Sequence, residues 1–111
     1  MLENREIINS ILKKMSLEFK DFKKLYFFGS RQKNQNSNDS DIDVLFVFDD
    51  INSEKKSKIA GIIGELEYKL DIFIDYKLFT SKGKYSIEFI RKNINPVFIK
   101  EAVDKGEVYS R

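Results

Sequence analysis

LYFFGSRQKNQNSNDSDIDVLFVF, residues 25–48, is the stretch around which the rest of the chain is read. Its two apolar runs, Leu25 to Phe28 and Val44 to Phe48, are short, aromatic and β-branched, the composition of strands. Between them lies a polar run rich in Asn, Ser and Gln that reads as a loop. Gly29-Ser30-Arg31 leaves the first strand and Asp41-Ile42-Asp43 opens the second. Side chains alternate across a strand, so Asp41 and Asp43 point to one face, about 7 Å apart along it. Two like charges so placed repel unless a cation lies between them. The pair therefore reads as a seat for a divalent metal ion.

The length of 111 residues fits one domain with one modest core, and residues 1–111 are read as that single domain. The composition, 41% hydrophobic and 34% charged, is that of a globular chain. A net charge of +2 is too small to predict general nucleic-acid affinity. Cysteine and histidine are both absent, which removes disulfides, thiolate or imidazole metal sites and the usual nucleophilic triads. Acid–base or metal chemistry must then run on carboxylates, assisted by Lys, Arg, Ser or Tyr. No apolar run approaches the roughly 20 residues that span a bilayer, and the N-terminal segment lacks a signal-peptide core. A cytoplasmic location, with no membrane partner, is the expectation.

Outward from the central stretch, Ile7, Ile8, Ile11, Leu12 and Met15, with Phe19, follow helical spacing and predict an amphipathic helix over 3–19. Asp21 to Lys24 is expected to turn the chain into the first strand. After the second, Asn52 or Ser53 is suited to cap a helix whose buried stripe is Ile59, Ile62, Ile63, Leu66 and Leu70. Gly61 and Gly64 lie inside that helix, where each costs about 1 kcal/mol relative to Ala. A third strand is expected from Leu70 to Lys77 or Leu78, then a loop at Thr80 to Lys84 and a helix at Tyr85 to Arg91. Asn95 before Pro96 is the pattern of an N-cap with proline at the first helical position, predicting a helix from Pro96 to Lys105 that stops at Gly106. The tail EVYSR forms a final strand. The order of elements predicts an α/β (α+β) fold, a mixed β-sheet flanked by helices.

Three acidic positions can converge: Asp41, Asp43 and one from the third strand. Asp71 and Asp75 share a face there and lie about 13 Å apart along a strand, so parity leaves both open but only one can join a cluster. Carboxylates suit hard ions such as Mg²⁺. Two such ions about 3.5–4 Å apart stabilise the attacking and leaving oxygens of a phosphoryl or nucleotidyl transfer. Gly29 lets backbone N–H groups approach a phosphate, and Ser30 and Arg31 add donors. Taken singly, D-x-D is an ordinary strand start and G-S an ordinary turn. Asp39, Asp49 and Asp50 read as turn carboxylates, Tyr26, Phe27, Phe28, Phe46, Phe48 and Phe73 as core, and the Lys13-Lys14, Lys23-Lys24 and Lys55-Lys56 pairs as solvated faces. In combination, G-S, the polar gap, D-x-D and a later strand carboxylate point to one site.

On these residues the chain resembles the minimal nucleotidyltransferases of the DNA polymerase β-like superfamily, whose G-S, gap of around ten residues and D-x-D are here Gly29-Ser30, residues 31–40 and Asp41-Ile42-Asp43. IDYKLFT (74–80) resembles the family's third-carboxylate strand, and NPVFIKEAVDKGEVY (95–109) its closing helix and strand. By that match Asp75 is the third carboxylate, with Asp71 in reserve. Members often follow G-S-R with Ala-Arg-Gly, whereas this chain has Gln32-Lys33-Asn34, where Lys33 keeps one basic side chain.

The resemblance implies the polymerase β-like fold, Mg²⁺ dependence with two ions, and transfer of a nucleoside monophosphate from an NTP, AMP from ATP, to an acceptor hydroxyl. It gives Asp41, Asp43 and Asp75 the metal and catalytic roles, and Gly29, Ser30 and Arg31 the nucleotide-binding one. Larger relatives carry a second domain for the acceptor, so a homodimer or a partner chain is expected to complete the site. Small members resemble the antitoxin of a toxin–antitoxin pair whose partner is a helical HEPN-type ribonuclease, and the acceptor is then a tyrosine of that toxin. Nucleic acid enters only as an acceptor. The competing expectation is a non-catalytic binding module that keeps the fold and neutralises its partner by surface alone.

Overall fold

The computed structural model describes residues 3–33 and 41–111, so Asp39 and most of the polar gap lie outside the described residues. Helix α1 (Asn4–Glu18) forms as its spacing predicts and buries Ile7, Ile8, Ile11 and Met15. Strand β1 (Phe22–Phe28) starts earlier than its apolar run, because Phe22 is buried opposite Phe48 and a bulge absorbs Lys23 between Phe22 and Lys24. A short helical turn α2 (Ser30–Lys33) follows Gly29, and strand β2 (Ile42–Phe48) begins inside the D-x-D segment.

Helix α3 (Ser53–Leu70) is capped by the Asn52 side chain, which accepts the Lys55 N–H at 2.8 Å. It ends on Asp71, whose backbone is left-handed at φ 54°, and strand β3 (Ile74–Thr80) starts three residues later. The third strand is therefore shorter at its start than the sequence predicts: the left-handed cap at Asp71 breaks the extended path. Helix α4 (Ile87–Asn93) is capped by Ser86, and helix α5 (Pro96–Ile99) by Asn95, which accepts the Phe98 N–H at 3.0 Å. The helix predicted from Pro96 onward is continuous in direction but widens to a π turn over Lys100–Asp104. Arg91 grips Asp104 through both carboxylate oxygens and ties α4 to the end of that turn. Gly106 does not adopt the left-handed conformation of a helix stop. A side chain there would instead meet the carbonyls of Ala102 and Phe27, so glycine allows the π turn to press against β1. Strand β4 (Glu107–Ser110) closes the order of elements.

The sheet runs β3-β2-β1-β4, with β1 antiparallel to both β2 and β4 and β2 parallel to β3 across the α3 crossover. This is the mixed α+β architecture expected of the polymerase β-like nucleotidyltransferase fold. Along β2, Ile42, Val44, Phe46 and Phe48 enter a core formed with α1 and α3. Leu45 and Val47 face the other way, packed with Tyr26, Phe79, Ile99 and Ala102 under α4, α5 and the π turn. A central strand covered on both faces reads as a continuous apolar run, which is why its sequence lacks clean alternation. Asp43 is the exception, on the second face and beyond the part that the helices cover. Among the described residues, no helix is long and apolar enough to cross a membrane.

Nothing in the fold requires the two glycines within α3, since a Cβ at Gly61 or Gly64 meets no atom within 4 Å. Gly61→Ala and Gly64→Ala should each stabilise the protein by up to about 1 kcal/mol. The check is thermal unfolding, with a rise of several degrees expected for the double variant.

Candidate active site

Register brings the carboxylates together. Asp43 pairs with Phe28 across the antiparallel β1–β2 ladder and with Asp75 across the parallel β2–β3 ladder. Directly paired residues present their side chains to the same face, so Asp43 and Asp75 stand side by side. Asp41, two residues before Asp43, contributes its negative charge to the same carboxyl. Asp71 is not on the strand at all; it caps α3. Of the two residues that parity left open, Asp75 is the one facing Asp43.

Gly29 completes this corner. Its φ of +87° lies in the region that disfavours side chains, and a Cβ there would run into the Asp43 carboxylate. The chain thus leaves β1 by passing tightly over Asp43, and Ser30 opens α2 as an exposed residue beside it. Arg31, expected among the nucleotide-binding residues, is 3% exposed and turned to α1: its Nε donates to Asn4 Oδ1 at 2.8 Å. Gln32 donates to Glu107 at 3.3 Å and Lys33 to Glu101 at 2.8 Å. Asn4, Glu101 and Glu107 gave no signal in the sequence, because each is far along the chain from the turn it contacts.

The Asp43 carboxyl is raised from its ordinary value, first by partial burial and then by the negative charges of Asp75 and Asp41, while Lys77 pulls the other way. Lys77 lies two residues beyond Asp75 on the same face, and its Nζ sits 3.0 Å from Asp75 Oδ1. Strand parity applied to β3 would have found it. The donors are all carboxylate oxygens, a set that suits a hard cation such as Mg²⁺. Among the described residues, however, no three acidic side chains are gathered into a ready-made metal group. The site consists of a facing pair, a third carboxylate acting through its charge, and a lysine ammonium on the pair's outer member.

The mixed sheet, with the G-S turn and the D-x-D segment meeting at one corner, agrees with the resemblance read from the sequence. The nucleotidyltransferase domain family matches residues 7–108, and the chain belongs to that family as a minimal nucleotidyltransferase. A crystal structure of a mutant toxin–antitoxin MntA-HpeT is similar at a TM-score of 0.61 and 17% identity, over 90% of this chain and 69% of that one. At that identity the likeness is one of fold. No curated protein matches the chain.

Two outcomes follow from this corner. Gly29→Ala combines a left-handed backbone with a collision at Asp43, and should destabilise the protein by about 1–3 kcal/mol in urea unfolding. Asp43→Asn should do the reverse when divalent metal is chelated. A carboxyl raised in the folded state costs stability when ionised, so the cost is present above the folded-state value and disappears below the unfolded one. The asparagine variant is thus expected to melt higher than wild type at pH 8 in EDTA. The gap should close as the pH falls into the carboxylate range, and melting curves across that range are the check.

Proposed function

We propose that this protein is a Mg²⁺-dependent nucleotidyltransferase that transfers AMP from ATP to a hydroxyl of a partner protein. The observation that carries this reading is the in-register Asp43–Asp75 pair with Gly29-Ser30 folded against it. Asp41, Asp43 and Asp75 would hold two Mg²⁺ ions, which when bound offset the triphosphate's charge and stabilise the attacking and leaving oxygens. Gly29 and Ser30 receive the triphosphate through backbone N–H groups and the hydroxyl, in the turn that Arg31 anchors. Asp75 takes the proton of the acceptor hydroxyl as that oxygen bonds to the α-phosphorus. The bond to the β-phosphate breaks, and pyrophosphate leaves. Lys77 must release Asp75 for this to occur; its partner is exposed and the pair is weak.

The acceptor in this reading is a tyrosine of a small helical HEPN-type toxin, and the protein serves as its antitoxin. The fold shared with a toxin–antitoxin protein supports the pairing. Lys77 seated on Asp75 favours a second reading, in which the fold is kept as a binding module and no nucleotide is transferred.

Thermal unfolding separates them. A ligand at about 100 times its Kd stabilises by about 2.7 kcal/mol, several degrees for a domain of this size. ATP with MgCl₂ should raise the melting temperature by that amount where neither does so alone, and Asp41→Ala should abolish the shift. Label from α-³²P-ATP should then pass to the partner. Neutralisation of the partner by Asp41→Ala and Asp43→Ala at wild-type strength would instead support the binding module.

A further inference from the structure

We infer that Asn4, in the first turn of α1, is a positioning residue for the nucleotide site, acting through Arg31 on the turn that carries Ser30. The inference rests on the nucleotidyltransferase reading above and adds to it the group that sets the geometry of the phosphate-holding turn. Among the described residues of this turn, Ser30–Lys33, three consecutive side chains tether it to other elements. Arg31 reaches α1, Gln32 reaches β4 and Lys33 reaches the π turn.

The three tethers are unequal. Lys33 and Glu101 are well exposed, so water and salt weaken their pair. The Gln32 contact is long, at 3.3 Å. The Arg31 tether is reciprocal and half-buried: Arg31 Nε donates to Asn4 Oδ1 at 2.8 Å, and Asn4 Nδ2 donates back to the Arg31 carbonyl at 3.1 Å. One amide thereby fixes both the side chain and the backbone of the residue next to Ser30. A carboxamide alone provides donor and acceptor at that reach. The guanidinium is 3% exposed, and among the described residues no buried side-chain nitrogen or oxygen lacks a partner. Loss of Asn4 would take the acceptor from Arg31 Nε and the donor from the Arg31 carbonyl, which frees the turn to move. Movement of Ser30 relative to Asp43 is what a site aligning a triphosphate on carboxylates tolerates least.

The test compares wild type, Asn4→Ala, Asn4→Asp and the core variant Ile63→Val, which loosens α3 away from the site. The Kd for ATP with MgCl₂ is measured well below each melting temperature, and amide hydrogen exchange is followed at residues 30–33 without nucleotide. Asn4→Ala should weaken ATP binding by about tenfold or more, the scale on which groups supporting a binding residue act. It should speed exchange at residues 30–33 while the β2 amides stay protected, and Ile63→Val should do neither. Asn4→Asp keeps the acceptor for Arg31 but loses the donor to its carbonyl, so binding should fall between wild type and Asn4→Ala. It carries the test alone if the alanine variant does not fold. Unchanged Kd and exchange in the Asn4 variants, with wild type binding ATP, would overturn this inference and leave the function standing. Failure of wild type to bind any NTP would overturn the function and this role with it.

Discussion

The register of β2 between β1 and β3 is the constraint on which the rest depends. One pairing sets Phe28 against Asp43 and the other sets Asp75 against it. A slip of one residue would turn a carboxylate toward the core under α1 and α3, or turn Ile42, Val44 and Phe46 to the face packed under α4, α5 and the π turn. The aromatic and aliphatic side chains of β2 prevent that slip, because five of its seven residues are fully enclosed in one core or the other. The site is exact because the core beneath it admits one register.

That same strand carries a conflict. Asp43 stands beside two other negative charges at a partly buried position, where the folded protein would gain by losing its charge. Such a residue lowers stability in the service of a site, and the enclosed strand on which it sits can bear the cost. Lys77 eases the repulsion from the outer side, the place a cation of either kind would take.

Most of this arrangement was legible in the sequence because it is governed by short-range rules. The apolar runs located β1 and β2, and the Asn52 and Asn95-Pro96 caps placed two helix starts correctly. Gly29 was singled out for its backbone, and the fold gives it a second reason in the carboxylate beneath it. The choice between Asp71 and Asp75 was not legible from pattern alone, since it turns on a left-handed cap at a non-glycine residue. The widening at Lys100–Asp104 was hidden too: Gly106 read as a helix stop, whereas it serves a close approach between the π turn and β1 that involves residues far apart in the chain. Arg31 showed its charge but not its direction, since its bond to Asn4 joins residues far apart in the chain.

The pairing of β1 with β4 bears on how the molecule comes into being. Leu25 finds Tyr109 and Tyr26 finds Val108 across more than eighty residues of chain. Contacts so distant are slow to close, and α1 and β1–β3 can assemble first with one side of β1 unsatisfied. During synthesis that side is an open strand edge rich in phenylalanine, the kind of surface that captures other strands. Glu107–Ser110 covers that edge at Lys24–Phe27, so β4 acts as the protein's own guard against misassembly.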